Sequence, residues 1–163
     1  MTINNAVRTP PPRLPGLLAV PFSLVPGPVH ASLIARLLNS VLRDPIRQGE
    51  LEFLQGRSMT IRVRDAGFGF ALAYRGNRLV AAARGTSDLF IEGDVYDFLL
   101  LISREVDADT LVFRRRLVMQ GDTELGLEVK NFLDSLDVES IGLYNRLVPY
   151  LKRALPGYRR MFG

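Results

Sequence analysis

The chain contains no cysteine and a single histidine. The first absence excludes disulfides, zinc–thiolate sites and thiol nucleophiles together, and it suits a cytoplasmic protein. The second leaves His30 without a second histidine or a nearby acid, so it reads as a structural residue rather than a catalytic one. No run approaches the roughly 18–20 apolar residues that span a bilayer. The opening residues 1–13, MTINNAVRTPPPR, lack the apolar stretch and small-residue cleavage site of a secretory signal. Gly67-Phe68-Gly69 begins like a dinucleotide loop, but position 72 is leucine and no helix is expected to follow. Ser87 has neither an elbow motif nor an available histidine. Asp107 and Asp109 are expected in a loop and Asp122 and Glu124 at a helix start, where solvation and capping account for them. The sequence offers no catalytic residue, no metal ligand set and no cofactor site, and the expectation is a protein that is not an enzyme.

At 163 residues the chain is long enough for one domain with a substantial core. Apolar residues make up 47% of it and the mean hydropathy is +0.11, high for a chain this charged. Some apolar surface is therefore expected to face a ligand, a partner or a membrane. The net charge of +4 is unevenly placed. Residues 1–57 carry 6 basic and 3 acidic groups, residues 58–135 carry 10 and 12, and residues 136–163 carry 5 and 2. The positive excess lies in the flanks. Nucleic acid is not the expected partner, because the centre is mildly acidic, only two residues are lysine and no binding motif is present. Basic ends around an apolar body suit peripheral contact with an anionic membrane. The plain alternative is that the arginines serve solubility alone.

Seven prolines between Pro10 and Pro28 exclude a continuous helix in the first 28 residues. Pro28 suits a first helical turn, and Val29, Leu33, Ile34, Leu37, Leu38 and Val41 predict an amphipathic helix ending near Pro45. Gly56 closes a short element. Alternation then predicts strands over 58–65, 68–74 and 79–83, with Gly76-Asn77 as a two-residue hairpin turn. Leu89 and Ile91 mark a fourth strand ending at Gly93. Asp94 caps the next helix, with Asp97 at its third position as in a capping box. The third strand carries Ala81, Ala82 and Ala83. Read as central, it either admits a closely packed helix or forms the wall of a cavity. An amphipathic stretch follows Asp137, with Pro149 kinking or restarting it. The order gives an α+β fold, with helices on one face of a mainly antiparallel five-stranded sheet. The expected organisation is a proline-rich segment over 1–28, a domain over 29–155 and a basic tail over 156–163.

Residues 113–131, FRRRLVMQGDTELGLEVKN, carry the most information. Leu117 and Met119 have the strand period, Gly121 permits a tight turn and Asp122 sits at an N-cap. Leu125, Val129, Phe132, Leu133 and Leu136 then follow helical spacing. Arg114, Arg115 and Arg116 lead in, as candidates to hold an anionic headgroup or as a solvated strand edge. This strand ending in Gly121-Asp122, together with residues 89–94 leading into Phe98-Leu99-Leu100, resembles the sterol carrier protein type-2 domain family. Residues 49–57, Val63-Arg64-Asp65 and residues 109–131 resemble its UbiT-like branch, the accessory factors of oxygen-independent ubiquinone biosynthesis. The resemblance covers about residues 45–136.

The resemblance implies a hydrophobic tunnel for a long-chain lipid, and polyprenylated quinone precursors presented to iron–sulfur hydroxylase partners that carry the cluster. Exposing a polyprenyl tail to water costs about 0.8 kcal/mol per methylene, so ring chemistry away from the bilayer needs a shield. Candidate tunnel residues are Leu72, Ala81, Leu117, Met119, Phe132 and Leu136, which sit on apolar faces that must converge. The competing reading is a general phospholipid or fatty-acyl carrier for anionic lipid such as phosphatidic acid. The implied location is the cytoplasm with peripheral contact at the inner membrane, the proline-rich 14–25 and the stretch after Asp137 either docking there or packing on the domain.

Overall fold

A computed structural model of the chain describes Arg13 and residues 27–83, 85, 87–136 and 142–162. In chain order the elements are α1 (Gly27–Val41), α2 (Arg43–Arg47), a 3-10 turn (Glu52–Leu54), β1 (Ser58–Val63), β2 (Phe68–Tyr74), β3 (Leu79–Ala81), β4 (Leu89–Gly93), α3 (Val95–Ile102), α4 (Ala108–Phe113), β5 (Val118–Gly121), α5 (Thr123–Ser135) and α6 (Gly142–Phe162). The five strands make one sheet in the order β3-β2-β1-β4-β5. Three of its pairs are antiparallel, and β1 with β4 is parallel. The class is the expected α+β, with a mainly antiparallel sheet.

Side-chain alternation turns the strand register into one apolar face. Phe70 and Leu72 stand opposite Ile61 and Met59, which pair in turn with Ile91 and Leu89. Met119 and Gly121 complete the rows beyond them. Helix α1 packs on this face over β2 and β3, and α5 packs beside β5 and the 3-10 turn. Leu51, Leu72, Tyr74, Leu89, Leu111 and Leu117 are buried in the core between the layers. The small residues Ala31 and Ala35 are buried on α1 and let it lie close to the sheet, while Val29, Leu33 and Leu37 remain exposed. The expected single stripe on α1 is therefore divided between core and solvent. Pro45 does not end the first helix. The chain turns at Leu42, and Pro45 is buried in the first turn of α2, where its missing amide proton costs little.

The hairpin between β2 and β3 matches its signal. Gly76 and Asn77 both have positive φ, 57° and 55°, as a primed two-residue turn requires. The strand that follows is not central, and this corrects the reading of the alanines. β3 is three residues long at the edge of the sheet, with Ala81 exposed and Ala82 and Ala83 beyond its end. Asn39 of α1 covers that edge: its amide donates to the Leu79 carbonyl at 2.7 Å and its oxygen accepts the Leu79 N–H at 2.8 Å. A side chain thus occupies backbone groups that would otherwise invite another strand.

Two further differences concern helices. Asp107 and Asp109 belong to α4 rather than to a loop, Asp107 as its N-cap, accepting from the Thr110 amide at 2.7 Å. Residues 156–162, expected as a basic tail, continue α6, and Pro149 and Pro156 lie within that helix. Segment 14–25 and residues 137–141 lie outside the described residues.

Candidate functional site

Glycine at an interior helical position brings α5 onto the sheet. Gly126 is buried, and a Cβ there would lie 3.5 Å from Leu89 and 4.0 Å from Met119. The turn before the helix is fixed by another glycine. Gly121 has φ of 115°, and any Cβ on it would fall 2.3 Å from the Asp88 carbonyl oxygen. Asp122 caps the helix by accepting the Leu125 amide at 3.0 Å. Together these hold α5 over β4 and β5 and leave a cavity of about 270 Å³, lined chiefly by Leu89, Val112, Met119, Gly126, Leu127 and Lys130. Leu127 and Gln120 are exposed at its rim. Lys130 is tied across it to Asp109 of α4 by an ion pair. The cavity opens to the surface; its volume exceeds that of an apolar cavity of about 150 Å³ that takes up benzene, and it is too small for a long isoprenoid tail.

Met119 is the tunnel candidate that lines this cavity. Leu72 and Leu117 are buried in the packed core, and Phe132 and Leu136 rest half-buried against it. Ala81 lies elsewhere, exposed on the edge strand. Val112, Leu89 and Gly126 were not anticipated. Gly126 had a sequence signal, a glycine retained inside an otherwise regular amphipathic helix. A second, larger cleft of about 520 Å³ lies between α3 and α6. Tyr96, Leu100, Leu155 and Pro156 line it together with Glu105, Lys152, Arg159 and Arg160, and none of the tunnel candidates reaches it.

The three arginines divide. Arg116 is not a headgroup residue. It forms an ion pair with Asp97, which is fully buried, and its guanidinium lies 5.6 Å from the centre of the Tyr96 ring. Arg64 joins from the end of β1, donating to Asp94 at 2.9 Å and to the Arg116 carbonyl at 3.0 Å. Asp97 also accepts the Asp94 amide at 3.3 Å, the reciprocal half of the capping box read in the sequence. Burial pushes the Asp97 carboxyl above its ordinary value, and the Arg116 charge opposes that. Beyond Tyr96 stands Tyr158 of α6, stacked at 5.5 Å, its hydroxyl pushed up to about 12, mainly by burial. Arg114 and Arg115 are exposed. Hydrogen bonds from Thr110 hold Asp107 below the usual carboxylate range, with a smaller effect from Arg114.

Among the described residues, no group of three or more acidic or histidine side chains is placed to hold a metal, and no helix is long and apolar enough to cross a membrane. His30 packs against Phe68, ring centres 5.4 Å apart.

Comparison with known proteins agrees with this architecture. The profile of the SCP-2 sterol transfer family matches residues 34–134. The ubiquinone biosynthesis accessory factor UbiT of Escherichia coli K12 is 39% identical over 127 residues, covering 78% of this chain and 73% of that protein. The UbiT of Escherichia coli O157:H7 matches to the same extent. Among solved structures, a UbiJ-SCP2 ubiquinone synthesis protein superposes with a TM-score of 0.52 at 20% identity, over 66% of this chain and 95% of that one. A profile match over more than half the chain and a relative aligned along most of both lengths place it: the chain belongs to the SCP-2 sterol transfer family and, within it, to the UbiT branch.

Proposed function

We propose that this protein is a non-enzymatic accessory factor of oxygen-independent ubiquinone biosynthesis, which binds polyprenylated quinone precursors and presents them to iron–sulfur hydroxylases. The observation that carries the reading is the 39% identity to an accessory factor named for ubiquinone biosynthesis, along most of both chains. The geometry supports it. The cavity beneath α5 is apolar, its rim opens to the surface, and its size suits the ring of a prenylated phenol. Met119 and Gly126 contact that ring in this reading. In this reading the tail runs on beside Phe132 and Leu136, which are only half-buried.

A general carrier of anionic phospholipid is the second reading, favoured by the exposure of Arg114 and Arg115 and by α6, which bears five basic and no acidic residues over Gly142–Phe162. Both readings place the protein in the cytoplasm with peripheral contact at the inner membrane, segment 14–25 and α6 assisting.

Deleting the gene separates them. The first reading expects ubiquinone to disappear from cells grown without oxygen and to stay near normal in cells grown with it. Equal loss under both conditions, or loss under neither, contradicts the pathway.

A further inference from the structure

Helix α4 ends in a turn that exposes an aromatic side chain followed by two exposed arginines. Phe113, its last residue, is 90% exposed, the most exposed of the large apolar side chains among the described residues. The turn beyond it is tightly built. The Arg115 amide donates to the Val112 carbonyl at 2.9 Å and the Arg116 amide to the Leu111 carbonyl at 2.9 Å, the paired bonds of a Schellman ending. Arg115 therefore occupies the left-handed position of that motif, with φ of 57°. Glycine is the usual residue there, because a Cβ is strained in this conformation.

A second arginine stands in the same kind of position, and the contrast is informative. Arg104 follows α3 with φ of 59°, and its guanidinium reaches the last turn of α5, donating to the Asp134 carbonyl at 3.0 Å and to that of Leu136. That helix cap accounts for an arginine where glycine fits better. Arg115 has no such account, since among the described residues its side chain makes no hydrogen bond and no ion pair. Nearby acids are engaged, Asp107 by Thr110 and Asp109 by Lys130. Arg116, next in the chain, fastens the turn to the buried Asp97. The turn is thus rigidly held, and Phe113, Arg114 and Arg115 are all exposed on it.

We propose that Phe113, Arg114 and Arg115 form a docking knuckle for an anionic bilayer, with the ring entering the acyl boundary and the arginines meeting lipid phosphates. The charge is complementary to such a surface, and an exposed aromatic beside cations on a rigid turn is what an interfacial anchor requires. The cavity is close by: Val112, the preceding residue, lines the cavity beneath α5, so docking brings that cavity near the membrane. This last step rests on the lipid-binding reading; the docking itself does not.

The test is co-sedimentation of the full chain with phosphatidylcholine vesicles, with and without phosphatidylglycerol. The parent should bind the anionic vesicles preferentially. Arg115→Gly should weaken that binding about fivefold, the worth of one basic residue near such a surface, while keeping or raising the melting temperature, because glycine relieves the left-handed strain. Phe113→Ser should weaken it about tenfold with the melting temperature unchanged. Unaltered vesicle binding by both variants overturns the proposal, as does equal sedimentation of the parent with vesicles that lack phosphatidylglycerol. Lipid copurifying with the protein is measured alongside. Its absence from every variant counts against the lipid-binding reading, whereas its retention by variants that no longer sediment supports the knuckle as a docking device.

Discussion

Gly126 is the residue on which the cavity depends. Helix interiors disfavour glycine by about 1 kcal/mol relative to alanine, and a Cβ at this site meets Leu89 and Met119 only at ordinary contact distance. Gly126→Ala should therefore raise stability by up to about 1 kcal/mol, measured by denaturant unfolding, and Gly126→Leu should fill the cavity without unfolding the chain. A loss of more than about 2 kcal/mol in the alanine variant would mean the helix is packed too tightly there for a cavity to matter. The neighbouring glycine behaves oppositely, since Gly121 can accept no side chain beside the Asp88 carbonyl. The sequence identified Gly121 as a turn residue but not the close approach to β4, because that contact joins residues more than thirty positions apart. The same limit explains the arginines. Arg114, Arg115 and Arg116 are indistinguishable as letters, and only the fold brings one of them to a buried carboxylate on α3.

Elements with a full period, a cap or a turn signal are legible in the sequence, and the shortest ones are not. Helix α3 announced itself by Asp94 and Asp97, α5 by Asp122 and its apolar spacing, and the β2–β3 hairpin by Gly76-Asn77. Helix α4 has six residues, too few to display a helical period, so its Asp107 cap reads as a loop residue in the sequence. β3 was misplaced for a different reason. Its alanines fit a covered strand, but strand order depends on where the connection to β4 returns, and hydropathy carries no record of that. That connection ends in a corner that makes a test. Asp88 accepts the Ser58 amide at 2.8 Å and its hydroxyl at 3.1 Å, and it lies 3.4 Å from Arg57. These contacts, the amide first, hold its carboxyl below the ordinary value. A depressed carboxyl contributes stability above its unfolded pKa of about 3.9, and that contribution is lost as pH falls through the folded value. Asp88→Asn, isosteric with the protonated acid, should cost about 1 kcal/mol at neutral pH, and the difference from the parent should vanish in acid. A gap that stays constant down the acid limb would show that the charge at this corner is immaterial.

For the molecule as a whole, the sheet face, the helix laid across it and the opening beside α4 form one apparatus. The layers, the five strands and the apolar faces were legible before any coordinates, and so was the family. The place where a ligand fits was legible only in part. Met119 was named from its period, whereas Leu89, Val112 and Gly126 come together through β4, α4 and α5, three elements whose meeting no local pattern encodes. In the function proposed above, this assembly shelters a prenylated ring. Lipids extracted from the purified protein and identified by mass spectrometry test it most directly, with Gly126→Leu prepared in parallel. A prenylated phenol or quinone should be bound to the parent and depleted from the variant at unchanged melting temperature. Phospholipid alone in the parent, or a prenylated ligand retained equally after the cavity is filled, would contradict it.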